Sequence, residues 1–223
     1  MNSDDRKKIQ DKLVYVSFDI ETSNVSRKHG EIISIAIQIL NSKFEDRTQI
    51  KSWVFNVRGR IDPMASSIHG FYKEDLKDFP YFEEKVSEIN NFISENIKDD
   101  ENGVFVAHNG YSFDFRFIYY SYKRANACLP LNINYFYDTL YAIKQDQDCL
   151  LSPKNENKEY DGAYGLKDLV PWLTEGKDDM KDHHEAEADV RGMNVILKSK
   201  YLRDRITYTL TGLQYFIDTV KKE

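Results

Sequence analysis

The sequence predicts an α/β fold, and three observations support this prediction. Residues 13–22 form an apolar, β-branched and aromatic run, which is typical of a buried central strand. Two further strand-like segments, residues 31–40 and 49–57, follow closely, which favours an antiparallel meander at one side of a sheet. Beyond them, helix-like and strand-like segments alternate, which implies that the remainder of the sheet is parallel.

The segments after the meander follow in a regular order. Apolar residues within 82–97 have helical spacing, so we expect a helix there. A short buried strand is predicted at residues 104–108. Ser112 is a suitable cap for the next helix, which covers residues 113–124. A second short strand is predicted at residues 135–137 and leads into a helical turn.

The C-terminal part combines helices with a long polar segment. Residues 144–163 lack apolar periodicity, so we expect a mobile loop or an insertion. Helices are predicted at residues 166–173 and 185–200. The tail, residues 201–220, has the pattern of one more amphipathic helix, which we expect to pack on its own domain. The predicted division is a polar, frayed leader at 1–12, a main domain at 13–198 and a C-terminal helical segment at 199–223.

The composition fits a folded globular protein without a membrane segment. Apolar residues make up 41% and charged residues 30% of the 223 residues, which argues against a disordered chain. No apolar run is long enough to cross a membrane, and the charged N-terminus is unlike a secretory signal. Two cysteines give no disulfide framework, so we expect an intracellular protein, cytoplasmic or nuclear.

The net charge of −6 argues against a protein that grips long duplex nucleic acid through its phosphates. It is compatible with a short grip on a strand end, where bound cations supply much of the positive charge.

Two carboxylates, Asp19 and Glu21, stand at the end of the first predicted strand. Because side chains on a strand alternate between faces, both point the same way, roughly 7 Å apart along the strand. Two like charges that lose hydration together need compensation, and a divalent cation is the simplest candidate. The alternative is a solvated strand end. When such a pair occurs alone, it is more often a solvated strand end than a metal site.

Two further acids are expected near this pair. Asp114 lies in the first turn of the predicted helix 113–124, after a strand that runs parallel to the first. Because ligands in open α/β sheets gather at the carboxyl ends of strands, Asp114 is expected to face the pair. The alternative is that Asp114 only interacts favourably with the dipole at the N-terminus of its helix.

Asp189 lies on or beside the apolar stripe of the helix 185–200, where an unpaired carboxylate is costly. His184 precedes Asp189 by five residues and is a candidate proton acceptor beside a metal cluster. The alternative for His184 is a residue that caps the helix and has no catalytic task.

Three segments in this order resemble the motifs of the DEDDh (DnaQ-like) 3′–5′ exonucleases. They are residues 18–22 (Phe-Asp-Ile-Glu-Thr), 106–115 (Val-Ala-His-Asn-Gly-Tyr-Ser-Phe-Asp-Phe) and 184–190 (His-Glu-Ala-Glu-Ala-Asp-Val). The middle segment looks most like the TREX-type members, and residues 68–70 resemble a further family segment. The resemblance implies a ribonuclease-H-like fold, with a mixed sheet of about five strands and helices on both faces.

The resemblance also implies two Mg²⁺ or Mn²⁺ ions as cofactors. Asp19 would bridge both ions, Glu21 and Asp189 would hold the first, and Asp114 would hold the second. His184 would take the proton of the attacking water. His183 precedes His184, and only the spacing to Asp189 chooses between the two histidines.

The same resemblance implies a set of residues at the last nucleotide. Thr22 would contact the 3′-hydroxyl, Val25 and Ile68 would wedge the base, and Phe113 would lie beside the scissile phosphate. For Val25, Ile68 and Phe113, packing in the core is the alternative. The implied substrate-binding set is Thr22, Val25, Ile68, His69, Asn109 and Phe113.

The implied function is a metal-dependent 3′–5′ exonuclease that releases nucleoside 5′-monophosphates. The partner is single-stranded or 3′-end nucleic acid, with DNA favoured over RNA because of the TREX-type middle segment. The alternatives are an RNA-trimming exoribonuclease, a binding module that has lost the chemistry, and an endonuclease on a related fold. No membrane partner is expected, and the tail helix makes a homodimer an additional hypothesis.

Overall fold

A six-stranded mixed sheet with helices on both faces forms the core of the molecule. The computed structural model describes residues 3–222. The strands are β1 (Leu13–Thr22), β2 (Ile32–Leu40), β3 (Lys51–Val54), β4 (Asn102–Ala107), β5 (Ile133–Asp138) and β6 (Thr211–Gly212). The helices are α1 (Ser3–Gln10), α2 (Pro63–His69), α3 (Phe82–Ser94), α4 (Asp114–Arg124), α5 (Thr139–Gln145), α6 (Leu166–Leu173), α7 (Ala186–Lys198) and α8 (Leu213–Val220).

The strand order is β3-β2-β1-β4-β5-β6, which puts β1 near the middle of the sheet. β1 pairs antiparallel with β2, and β2 pairs antiparallel with β3, as the predicted meander requires. β1 and β4 are parallel, as are β4 and β5. The carboxyl ends of these three strands therefore lie at one edge, where the predicted acids begin.

The two faces of β1 pack against different helices. Val14, Val16 and Phe18 belong to one apolar cluster, which includes residues of α3, α4 and α8. Leu13 and Tyr15 belong to the other cluster, which includes residues of α7. Asp19 and Glu21 continue the odd-numbered positions of β1, so the alternation of side chains directs them toward the side of the sheet that α7 covers.

The cap predicted for α4 is wrong. The helix begins at Asp114, and Phe113 occupies the capping position without a side-chain hydrogen bond. The turn before α4 is held instead by Asp138, whose two carboxylate oxygens accept the backbone N–H groups of Asn109 and Tyr111, each at 3.0 Å. This buried acid satisfies backbone donors of the turn, and the Ser112 side chain is exposed.

The tail is not the single helix that its apolar pattern predicts. β6 interrupts it and pairs antiparallel with the edge of β5, which gives the sheet one strand more than the five expected. A free strand edge has unpaired N–H and C=O groups, and β6 satisfies part of them. α8 follows, and its Phe216 ring lies 4.5 Å from the Phe136 ring, centroid to centroid. The apolar Phe216 and Val220 of α8 are buried within the chain itself. The homodimer suggested by the tail stays a prediction.

The two polar segments both contact the rest of the chain. The leader contains α1, and the Gln10 side chain donates a hydrogen bond to the carbonyl of Arg203 at 3.0 Å. Within the long polar segment, Cys149, Leu151 and Tyr160 are buried against the core. Among the described residues, no helix is both long enough and apolar enough to cross a membrane.

Candidate active site

A cavity of about 450 Å³ opens at the carboxyl ends of β1 and β4, between the N-terminal ends of α4 and α7. The parallel arrangement of these strands and the helices that follow them bring distant parts of the chain to this point. Every site residue predicted from the sequence lines the cavity. They are Asp19, Glu21, Thr22, Val25, Ile68, His69, Asn109, Phe113, Asp114, His184 and Asp189.

Three carboxylates form the centre of the site. One oxygen from each of Asp19, Glu21 and Asp189 lies within 4.8 Å of the others. Glu21 is 8% and Asp189 5% exposed, so neither charge is well hydrated. The pair on β1 reaches the acid on α7 because all three lie on the same side of the sheet. Oxygen ligands at this separation suit a hard divalent cation.

Asp114 lines the same cavity and is 4% exposed. The backbone N–H groups of Asp114 itself and of Ile20 lie near enough to its carboxylate to oppose the rise in pKa that burial causes. Since β4 pairs with β1 only as far as Ser17, the N–H of Ile20 lies beyond that ladder. Asp114 thus lies beside the strand that carries Asp19 and Glu21.

Burial and mutual repulsion raise the pKa values of Asp19, Glu21 and Asp114. Burial raises the pKa of Asp19 well above its usual range, and the charges of Asp114, Asp189 and Glu21 add to the shift. Burial, then Asp189 and Asp114, raise the pKa of Glu21 to about 8. Burial is also the main cause that raises the pKa of Asp114 to about 8. A bound cation would oppose this repulsion, so the donor set fits divalent metal ions.

Both histidines of the His-His pair lie in the cavity, but they contact Asp189 differently. His183 Nδ1 lies 2.6 Å from Asp189 Oδ1, whereas His184 contacts Oδ2 through its backbone N–H at 3.3 Å. The two ring centroids lie 3.8 Å apart, and the ring planes are tilted by 31° to each other. His184 has a φ of +75°, a left-handed conformation that is uncommon for a residue other than glycine. The structure therefore pairs the Asp189 carboxylate with the ring of His183 rather than with that of His184, the histidine that spacing predicts.

His69 lines the cavity, and both of its ring nitrogens bond to the backbone. Its Nδ1 accepts the backbone N–H of Phe71 at 3.1 Å, so Nε2 carries the proton and donates to the Thr22 carbonyl at 3.2 Å. Burial lowers the pKa of His69, in keeping with this neutral form. Both ring nitrogens are therefore engaged, and His69 holds the end of β1 in place.

The cavity has an apolar rim on one side. Val25 is 82% and Ile68 48% exposed, so neither packs in the core as the alternative required. Met64, which the sequence analysis did not single out, lines the same rim and is 72% exposed. Phe113 differs, because its ring lies 4.7 Å from that of Phe117 and is partly buried.

The sequence pattern does not reveal two residues that position the site, the buried Asp138 and the half-buried His108. Asp138 is 3% exposed and holds the turn that carries Asn109. Asp138 precedes α5 directly, and an aspartate at that position is a typical N-terminal helix cap. This position is the feature of the sequence that could have identified Asp138. His108 joins the turn to the polar loop: its Nε2 lies 2.8 Å from the Tyr164 carbonyl. No local pattern predicts that partner, which is 56 residues away.

Comparisons with known proteins agree with this geometry. A family model described as an exonuclease, RNase T, matches residues 16–193. DNA polymerase III PolC-type from Staphylococcus aureus is 30% identical over 111 residues, which are 49% of this chain and 7% of that protein. The PolC-type protein of Staphylococcus epidermidis matches to the same extent. The chain therefore spans only a small part of these relatives.

Solved structures of E. coli exonuclease I share the fold. The zinc-bound complex with single-stranded DNA has a TM-score of 0.64 at 13% identity, over 95% of this chain and 43% of that chain. The complex with a dA16 oligonucleotide has a TM-score of 0.63 at 15% identity, over 83% of this chain and 40% of that one. The likeness confirms the predicted ribonuclease-H-like α/β fold.

Proposed function

Since the chain belongs to the RNase T exonuclease family, in agreement with its DEDDh-type motifs, we propose that it is a metal-dependent 3′–5′ exonuclease acting on single-stranded DNA. The products would be nucleoside 5′-monophosphates. The observation that carries the proposal is the convergence of Asp19, Glu21, Asp114 and Asp189 in one cavity beside two histidines. These acids come from three separate elements, and their burial in one place destabilises their charged forms. Such a cluster can bind the divalent cations that support phosphodiester hydrolysis.

The acids would hold two Mg²⁺ or Mn²⁺ ions. Asp19, Glu21 and Asp189 form the first ligand set, since their oxygens lie within 4.8 Å of one another. Asp19 and Asp114 form the second. When bound, such a pair supplies positive charge at the attacking and leaving oxygens of an in-line displacement. All the proposed protein ligands are carboxylates, which Mg²⁺ and Mn²⁺ prefer.

A histidine would accept the proton of the attacking water. We assign this role to His184 by its spacing to Asp189, and burial lowers its pKa, which keeps the ring neutral and able to accept a proton at pH 7. His183 is the competing candidate, because its ring contacts Asp189 directly. In that case Asp189 would orient the imidazole of His183, and His184 would only supply a backbone N–H group.

The remaining residues of the cavity would hold the 3′-terminal nucleotide. Thr22 and Asn109 offer polar groups near the acids, and Phe113 lies beside Asp114. The exposed Val25 and Ile68 would wedge the terminal base. Apolar faces accept any base, so little sequence preference is expected. DNA is favoured because the related exonuclease I structures are complexes with DNA oligonucleotides.

The proposal is tested with 5′-labelled single-stranded DNA in Mg²⁺, alongside matched RNA and a closed DNA circle. We expect a ladder that shortens one nucleotide at a time from the 3′ end, faster on DNA than on RNA. The circle should stay intact, and EDTA should stop the reaction. Cleavage of the circle, or full activity in EDTA, would contradict the proposal. Faster shortening of RNA would identify an exoribonuclease instead.

A further inference from the structure

The two adjacent histidines and Asp189 form a second group of metal-ligating side chains beside the carboxylates. One ring nitrogen of His183, one ring nitrogen of His184 and one carboxylate oxygen of Asp189 all lie within 4.8 Å of one another. All three residues line the active-site cavity. The group shares Asp189 with the carboxylate set, but its other two donors are nitrogens, so it suits a different kind of ion.

The two imidazoles face the same small volume although they belong to consecutive residues. On a strand, consecutive side chains point to opposite faces, so neighbours seldom meet. Here the ring centroids of His183 and His184 lie 3.8 Å apart. His184 has a φ of +75°, and such a backbone conformation in a residue other than glycine is concentrated at functional sites.

The Asp189 carboxylate is oriented by both histidines. Its Oδ1 lies 2.6 Å from His183 Nδ1, and its Oδ2 accepts the backbone N–H of His184 at 3.3 Å. Asp189 lies in the first turn of α7 and is 5% exposed. A ligand that is already held in place loses little conformational freedom when it binds an ion.

An ion can reach this group from solvent. The His184 side chain is exposed, and that of His183 is half-buried. Three protein donors leave a coordination position open for water or for a substrate oxygen. This is the arrangement of open zinc sites, whereas structural zinc sites have four protein ligands.

The chemistry of the donors identifies the class of ion. Imidazole nitrogen suits Zn²⁺ and the other late first-row ions, whereas Mg²⁺ prefers oxygen ligands. Two imidazoles with one carboxylate are a common ligand set for Zn²⁺ in proteins. The group therefore differs in its preferred ion from the set of Asp19, Glu21 and Asp189.

We propose that His183, His184 and Asp189 bind one Zn²⁺ ion, and that this ion inhibits the enzyme. A neutral imidazole has a single ring nitrogen that can accept a proton. When Zn²⁺ occupies that nitrogen of His184, the ring cannot take the proton of the attacking water. The same holds if His183 is the general base, because both rings belong to the group. The inhibition rests on the proposed function, whereas zinc binding itself does not.

The experiment uses Co²⁺ in place of Zn²⁺, because Zn²⁺ has a filled d shell and no visible absorption. A four-coordinate Co²⁺ site with nitrogen donors absorbs more strongly than a six-coordinate site made of oxygens. The metal-free chain should give a strong visible band with Co²⁺, and added Zn²⁺ should remove it. His183→Ala and His184→Ala should each lose the band. Their affinity for Zn²⁺ should fall by more than the roughly 10–100-fold that loss of an outer partner of a metal ligand costs.

Two further variants serve as controls. His29→Ala also removes one histidine, but His29 is exposed in the loop between β1 and β2, outside the cavity. Asp19→Asn removes a member of the carboxylate set that is not part of the histidine group. Both variants should keep the band. A wild type without the band, a band that persists in either variant of the pair, or its loss in either control would overturn the inference.

A second readout connects the ion to the proposed function. Hydrolysis of 5′-labelled single-stranded DNA is measured in Mg²⁺ with increasing Zn²⁺, and each protein is compared with its own rate without zinc. Zn²⁺ should inhibit the wild type, and His183→Ala should need at least roughly tenfold more Zn²⁺ for half inhibition. Equal sensitivity to zinc would contradict the inhibitory role of the histidine group. A wild type that has the cobalt band but leaves DNA intact would count against the exonuclease and support the zinc site.

Discussion

Replacement of Glu21 by glutamine should stabilise the metal-free protein, and increasingly so as the pH rises. Burial and the neighbouring carboxylates raise the pKa of Glu21 from 4.5 to about 8. Below pH 4.5 the group is neutral in both the folded and the unfolded chain, so it has no effect on stability. Between pH 4.5 and 8 the unfolded chain releases the proton more readily, and the folded state loses stability progressively.

The size of the effect follows from the two pKa values. One pKa unit corresponds to about 1.4 kcal/mol, so linkage gives a penalty of about 1 kcal/mol at pH 5 and about 4 kcal/mol at pH 8. Glu21→Gln removes this penalty and keeps the volume. For a domain of this size each kcal/mol moves the melting temperature by roughly 2–4 °C, so the gain should reach about 10 °C at pH 8.

Thermal unfolding in EDTA at pH 5, 6, 7 and 8 measures this gain. Glu95→Gln is the matched control, because Glu95 is exposed at the end of α3, outside the cavity. A gain for Glu21→Gln that is the same at every pH would refute the reasoning. Added Mn²⁺ should reverse the order of the two proteins, since a ligand that binds only the folded state stabilises it and the variant lacks one carboxylate.

Four further changes test the assignments in the site. Asp19→Ala should abolish hydrolysis of 5′-labelled DNA without loss of the folded circular-dichroism spectrum, and residual activity above one per cent would argue against a bridging ligand. His184→Ala should lower the rate by about 10²-fold or more, as loss of a general base does. His183→Ala should have a mild effect, and a larger loss there would transfer the role to the ring that contacts Asp189. Asp138→Asn should lower the free energy of unfolding by about 1–3 kcal/mol, because an amide cannot accept all three backbone N–H groups that the carboxylate accepts. Urea unfolding measures this loss, and an unchanged midpoint would show that the turn does not depend on Asp138.

The positions of the acids could be predicted from the sequence because the periodicity of strands and helices determines which way each side chain points. Alternation on β1 puts Asp19 and Glu21 on one face, and the helical stripe of α7 brings Asp189 toward the same side. Parallel pairing of β1 with β4 then locates Asp114. Each step uses a local rule, and the family motifs add the order and spacing.

Other features depend on contacts that no local rule contains. β6 has only two residues, and it exists because the edge of β5 offers a partner. The turn before α4 relies on Asp138, whose buried carboxylate satisfies donors 27 and 29 residues away. The spacing of His184 to Asp189 predicts neither the left-handed backbone at His184 nor the contact between the His183 ring and Asp189.

The central claim is that four carboxylates hold two divalent ions in one cavity, and electron paramagnetic resonance of bound Mn²⁺ tests it most directly. The wild type at pH 8 should bind two ions per chain, close enough for spin coupling to change the spectrum from that of an isolated ion. Asp19→Asn should lose the coupled spectrum, because the bridging carboxylate is gone. A single uncoupled ion in the wild type, or the same coupled pair in Asp19→Asn, would contradict the claim.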